Sequence, residues 1–190
     1  MYTIGFEGVS DGSKQAIAAI CPQMNTVVAK AADGAGGKLR TKWFGLVGSK
    51  PAMFKKLLAM DQYLNTRCVR LTFVQKALGQ KVDCATVEAG DFAQVIRVPT
   101  DPGTGERFVP SGARVFILPN FSGQSASEKF NTVCHELSHR VLATTDFPGG
   151  VCCYGRNDAL ALAAGPKSNL AVTCAENWGY FFMELMESLA

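Results

Sequence analysis

The stretch Cys134-His135-Glu136-Leu137-Ser138-His139 contains both histidines of a 190-residue chain, set four positions apart with a glutamate beside the first. It reads His-Glu-x-x-His. A helix advances about 100° per residue, so positions i and i+4 lie one turn apart on the same face, where two imidazole nitrogens can hold one metal ion. The intervening glutamate then reaches the metal's open side as a proton acceptor for water, which is the logic of a zinc-hydrolase signature. A chain that spends its two histidines at metal-ligand spacing has not scattered them at random.

The flanking residues predict the helix that this motif needs. Ser125-Ala126-Ser127-Glu128 reads as a capping box, and Phe130, Val133, Leu137, Val141 and Leu142 recur at helical spacing. The helix is expected over about residues 125 to 143. Cys134 sits about 100° round it from His135 and reads as a small core residue pointing away from the metal.

At 47% apolar and 18% charged, the composition is that of a globular protein. The expectation is a single domain over 1–190, with an N-terminal lobe to about residue 143 and a helical C-terminal part from about 144. The net charge of +3 is small and unclustered, so no footprint for nucleic acid or anionic membrane is expected. No apolar run approaches the roughly 20 residues of a membrane span. The N-terminus Met1-Tyr-Thr-Ile-Gly-Phe-Glu-Gly8 lacks the basic start and apolar core of a signal peptide, so export would use another route or a leader absent from this sequence. The seven cysteines are an odd number for a disulfide framework, and no Cys-x-x-Cys pair suggests a thiolate metal site. Cys68 and Cys84 are one candidate pair in an oxidising compartment.

Upstream, residues 13–32 read as a helix interrupted or kinked near Pro22, with Ile17, Ile20, Met24, Val27 and Val28 as its apolar residues. Asp33-Gly-Ala-Gly-Gly-Lys38 looks like a phosphate loop but has Ala32 and Leu39 where glycine and Ser/Thr are needed, and reads as a flexible connector. A second helix is expected over 50–65, capped by Ser49, with Phe54, Leu57, Leu58 and Leu64 inward. Strands are expected at 68–74, 92–98 and 114–118, with a proline- and glycine-rich loop at 99–110. Such a sheet could floor a cleft and lend an edge strand to an extended substrate. Beyond the central helix, 144–156 reads as a loop and Asn157 as the cap of a short helix over 158–164. Pro166 opens a last helix to about Ser188, with Leu170, Cys174, Phe181, Leu185 and Leu189 inward.

A catalytic zinc usually has three protein ligands and a water. Leu142 and Thr145 stand where the extended His-Glu-x-x-His-x-x-Gly-x-x-His motif needs glycine and histidine, so the third ligand must be a downstream carboxylate: Asp146, Asp158 or Glu176. Asp146 lies in a loop seven residues past His139, and Glu176 on a helix as in thermolysin-like enzymes. Spacing alone permits both.

The string His135-Glu-Leu-Ser-His139, then Thr144-Thr145-Asp146 and Tyr154-Gly155, resembles the deuterolysin or aspzincin family of zinc endopeptidases, which includes the peptidyl-Lys metalloendopeptidases. Their pattern is His-Glu-x-x-His followed by Gly-Thr-x-Asp-x-x-Tyr-Gly. The likeness extends to Phe92-Ala-Gln-Val95, Arg114-Val-Phe-Ile-Leu-Pro-Asn-Phe121, Leu160-Ala-Leu-Ala163 and Cys174-Ala-Glu-Asn-Trp178, covering about residues 84 to 185. It implies an α+β, zincin-like fold, with a small mixed sheet beside the active-site helix and a helical C-terminal part. It also implies one catalytic Zn2+ held by His135, His139 and Asp146, with Glu136 as general base and Tyr154 steadying the oxyanion. Two departures stand out: Ala143 replaces the family's glycine, and Asp146 to Tyr154 spans eight residues instead of three. In the lysine-specific members an acidic pair receives the substrate's basic side chain, and the matching positions here are Glu176 and Gly179. Glu176 therefore reads as substrate-binding or, equally, as a solvated or helix-paired glutamate.

The expected activity is hydrolysis of peptide bonds in a protein or peptide substrate, by a chain secreted or delivered outside the cell, with an effector or toxin domain as one open role. One alternative is a thermolysin-like peptidase with Glu176 as third ligand. Another is a non-catalytic zinc-binding interaction domain whose metal is closed by a fourth ligand such as Cys152 or Cys153. Oligomeric state is not legible.

Overall fold

The computed structural model describes residues 2–65, 70–82, 85–86, 93–95 and 112–190. Its elements are β1 (Thr3–Glu7), α1 (Asp11–Ala32), α2 (Gly37–Phe44), α3 (Pro51–Asn65), β2 (Arg70–Gln75), β3 (Lys81–Val82), β4 (Ala85–Thr86), β5 (Ala93–Val95), β6 (Gly112–Ile117), α4 (Ala126–Leu142), α5 (Arg156–Ala164) and α6 (Ala175–Leu189). This is an α+β fold with a small mixed sheet, as read from the sequence. The expected strands correspond to β2, β5 and β6. The loop at 99–110 and the pair Cys68 and Cys84 lie outside the described residues.

The main sheet has the order β1-β2-β6-β5; β1, β2 and β6 run parallel and β5 antiparallel. A parallel strand covered on both faces need not alternate. In β2 the run Leu71, Thr72, Phe73 and Val74 is accordingly buried throughout. Among the described residues, β5 is the outermost strand on the side of α4.

α1 continues through Pro22 instead of breaking there. A mid-helix proline costs about 3 kcal/mol. The burial of Ile17, Ile20, Cys21, Met24, Val27, Val28 and Ala31 along one face offsets that cost. In α3 the inward set is Met53, Leu57, Met60, Tyr63 and Leu64, while Leu58 is 48% exposed, which corrects its expected placement. The connector after α1 is held by the buried Arg40, whose guanidinium donates to the carbonyls of Gly34 and Ala35. It leads into α2, a helix the sequence did not announce.

α2 owes its place to tertiary packing. The Phe44 ring lies 4.8 Å from Trp178 and 5.5 Å from Phe181, and Trp43 stacks on Tyr180 at 5.1 Å. Asn177, fully buried, donates to the carbonyls of Trp43 and Ala159, tying α2 and α5 to α6.

The last helix begins at Ala175, not near Pro166, because residues 168–173 form a separate turn of 3-10 helix. Two features stop it from joining α6. Thr145 pairs with this segment, donating to the Thr173 carbonyl and accepting from Ala175, and Cys174 is disulfide-bonded to Cys153. Leu189, expected inward, is exposed, and Leu170 is only partly buried. α5 begins at Arg156 with Gly155 at its cap, not Asn157.

α4 packs along α6 at very short range. A Cβ on Gly179 would lie 2.1 Å from Asn131 Oδ1, so a side chain there would force the buried Asn131 to shift. One turn later in α4 and about one turn earlier in α6, the same closeness brings Glu176 beside His135.

Candidate metal centre

α4 is built as its sequence requires. The Ser125 hydroxyl accepts from the Glu128 amide while the Glu128 carboxylate accepts from the Ser125 amide, completing the capping box. Val133, Cys134 and Leu137 face the core, with Cys134 buried as expected. His135, Glu136 and His139 are gathered into one group whose ligand atoms lie within 4.8 Å of one another, a cluster able to hold a metal ion.

The helix ends on Ala143, whose φ of 58° and ψ of 37° are left-handed and fit the glycine of the family pattern better than alanine. The conformation costs roughly 1–2 kcal/mol for a residue with a Cβ. It turns the chain sharply back, so that the Thr144 carbonyl lies 2.9 Å from His139 Nδ1. A carbonyl only accepts, so His139 carries its proton on Nδ1 and presents the Nε2 lone pair on the side of His135 and Asp146, where a cation could sit. The Thr144 hydroxyl also meets that of Ser138 at 2.7 Å. Sequence reading gave Thr144 no such part.

Asp146 follows two residues later. Its Oδ1 lies 3.1 Å from His135 Nε2 and 3.2 Å from His139 Nε2, and the two Nε2 atoms are 3.1 Å apart. Donors bound about 2.1 Å from one zinc ion at tetrahedral angles stand roughly 3.4 Å apart, so this near-equilateral triangle suits one small cation. Electrostatics point the same way. Burial would lower the His135 pKa, but the Asp146 and Glu176 carboxylates, with Glu136, hold it up at about 10. Burial would raise Asp146, yet the two imidazoles keep it well below the usual carboxylate range. The cluster demands positive charge between its members, and two imidazoles with one carboxylate are the donor types zinc takes.

Glu136 Oε1 lies 3.9 Å from His135 Nε2, and its side chain lines a cavity of about 440 Å³ together with His135, Tyr154, Gly155, Glu176 and Tyr180. Tyr154, 53% exposed, is thus on the wall of the same cleft. The long Asp146-to-Tyr154 loop reaches there because the Cys153–Cys174 disulfide folds it back, with the Cys153 sulfur 3.3 Å from the Asp146 carbonyl oxygen.

Glu176 is buried and addresses the other side of the His135 ring. Its Oε2 is 3.8 Å from Nδ1, and its Oε1 accepts from the Gly155 amide at 3.0 Å. It therefore does not stand on the Nε2 side where Asp146 meets both rings. Asp158 and Cys152 lie together elsewhere, with Cys152 Sγ 3.9 Å from Asp158 Oδ2, and Cys153 is committed to its disulfide. Neither cysteine is placed to close the metal group as a fourth ligand.

No family model matches the chain, and no curated protein is similar to it in sequence. Among solved structures, the chain is similar to a zinc peptidase from Grifola frondosa, with a TM-score of 0.65 and 21% identity over 93% of this chain and 97% of that one. At that identity the likeness establishes the fold: the chain has the fold of a zinc peptidase, with a His-Glu-His group on its central helix that could hold a metal ion.

Proposed function

We propose that the chain is a zinc-dependent endopeptidase of the deuterolysin or aspzincin type. The observation that carries this reading is the triangle of His135 Nε2, His139 Nε2 and Asp146 Oδ1, with His135 and Glu136 themselves on the wall of an open cleft. Those three residues would hold the ion. Zinc bound there supplies Lewis acidity toward a peptide carbonyl and a lowered pKa for water.

The remaining work falls to side chains. Glu136 takes the proton of the attacking water on its carboxylate and delivers it to the leaving amine nitrogen. The Tyr154 hydroxyl donates to the oxygen that gains charge as the carbonyl carbon becomes tetrahedral. The Thr144 carbonyl keeps His139 in the tautomer that presents Nε2. The outer side of β5, the outermost described strand beside α4, suits main-chain pairing with an extended peptide.

A paired-acid lysine pocket is not part of the proposal, because position 179 is glycine and supplies no second acid. Export or effector delivery enters it through the family resemblance alone.

The test is cleavage of an unfolded protein by the zinc-loaded chain, abolished by a chelator, restored by zinc and blocked by a hydroxamate. A zinc-loaded chain that neither cuts polypeptide nor binds hydroxamate overturns the proposal in favour of a closed, non-catalytic metal site.

A further inference from the structure

The Glu176 carboxylate is one of three acids on the cleft wall with Glu136 and Glu128, and the only one buried between a candidate metal ligand and the loop that carries Tyr154. It leaves the first turn of α6 with 8% exposure. One oxygen accepts the Gly155 amide, at a residue whose φ of 81° fixes the turn directly after Tyr154. The other lies 3.8 Å from His135 Nδ1. That is longer than a hydrogen bond, but close enough for the negative charge to favour the tautomer protonated on Nδ1, which frees Nε2 to face His139 and Asp146. A substrate-binding acid would present its oxygens to the cleft. This one has committed one oxygen to the Gly155 amide and holds the other beside the His135 ring.

We propose that Glu176 is a positioning residue: through its two carboxylate oxygens it sets the His135 ring for metal binding and pins Gly155, and with it Tyr154, at the cleft. The inference rests on the peptidase reading for its catalytic half and on the metal site for the other. The α4–α6 approach at Gly179 and Asn131 makes the arrangement possible, since a wider spacing would withdraw the carboxylate from His135.

The experiment compares the wild type with Glu176→Ala and Glu176→Gln in two readouts. The first is zinc affinity by chelator competition, which needs no catalysis. The second is kcat and KM at saturating zinc on two peptides that differ only in lysine or alanine after the cut bond. Removing a carboxylate that orients a metal-bound histidine weakens metal binding about 10–100-fold, so Glu176→Ala is expected to lose zinc affinity in that range. It should also lose kcat to the same factor on both peptides. Glu176→Gln keeps an acceptor for the Gly155 amide but no charge at His135. It is expected to recover kcat in large part while zinc affinity stays reduced.

An unchanged zinc affinity in both variants, with a loss confined to KM for the lysine peptide, overturns the proposal and makes Glu176 a substrate-binding acid. If Glu176→Ala does not fold, the zinc affinity of Glu176→Gln decides alone. A wild type that binds zinc and cuts neither peptide sinks the peptidase reading, and the zinc comparison still decides whether Glu176 positions His135.

Discussion

His135 Nε2 and Asp146 Oδ1 lie 3.1 Å apart although one belongs to the middle of a helix and the other to the loop beyond its end. The left-handed turn at Ala143 and the Thr145 pairing with Thr173 and Ala175 bring them together. Replacing Asp146 by alanine leaves two imidazoles to hold a cation. We expect Asp146→Ala to lose stoichiometric zinc after dialysis while the wild type keeps one ion per chain. Full retention of zinc by Asp146→Ala, with complete loss from Glu176→Ala after the same dialysis, would instead place the third ligand on α6.

The Cys153–Cys174 disulfide closes a loop with a sequence separation of 21. A crosslink of that span stabilises by about 3 kcal/mol through the unfolded chain. Asp146, Tyr154 and Glu176 all hang from the segments it joins. Cys153→Ser is therefore expected to lower the melting temperature and to speed zinc release to a chelator. A variant that melts lower but holds zinc as firmly as wild type would show that the loop needs only its backbone pairing.

Ala143 occupies the left-handed position with a Cβ it does not need. Exchange for glycine relieves the steric cost but adds freedom to the unfolded chain, and the balance is expected to favour Ala143→Gly by about 1 kcal/mol. Chemical denaturation measures it. A glycine variant less stable than wild type would mean that the turn is held without strain.

Glu184 supplies a pH dependence of its own. Burial would raise its pKa, but Lys42 and the Trp43 indole, with Arg156, outweigh that and hold it below 4.5. A depressed folded pKa contributes stability that is present above 4.5 and is lost as pH falls through the lower folded value. Glu184→Gln should therefore be less stable at neutral pH and should show a shallower loss on acidification. Parallel acid limbs for the two proteins would contradict this.

The parts that local rules govern were legible. The capping box and apolar period of α4 gave its bounds to within a residue, and the i, i+4 spacing put both histidines on one face. α2 was not legible, because Gly37-Lys-Leu-Arg-Thr-Lys-Trp-Phe44 has little helical period and takes its shape from the aromatic cluster it docks on. The start of α6 was misplaced because a disulfide and a single bridge to Thr145 interrupt a sequence that otherwise favours helix from Pro166. At the site, Asp146 came from the family pattern. The placement of Glu176 behind His135 depends on how closely two helices approach at Gly179, which no single segment encodes.

The central claim is that Glu136 moves protons at a metal held by its neighbours, and the most direct measurement is the comparison of wild type with Glu136→Gln for zinc content and cleavage of an unfolded protein. Glu136→Gln should keep one zinc ion per chain and lose at least about 100-fold in kcat, the scale of a positioned general base. A zinc-loaded Glu136→Gln that cleaves at the wild-type rate would contradict the account.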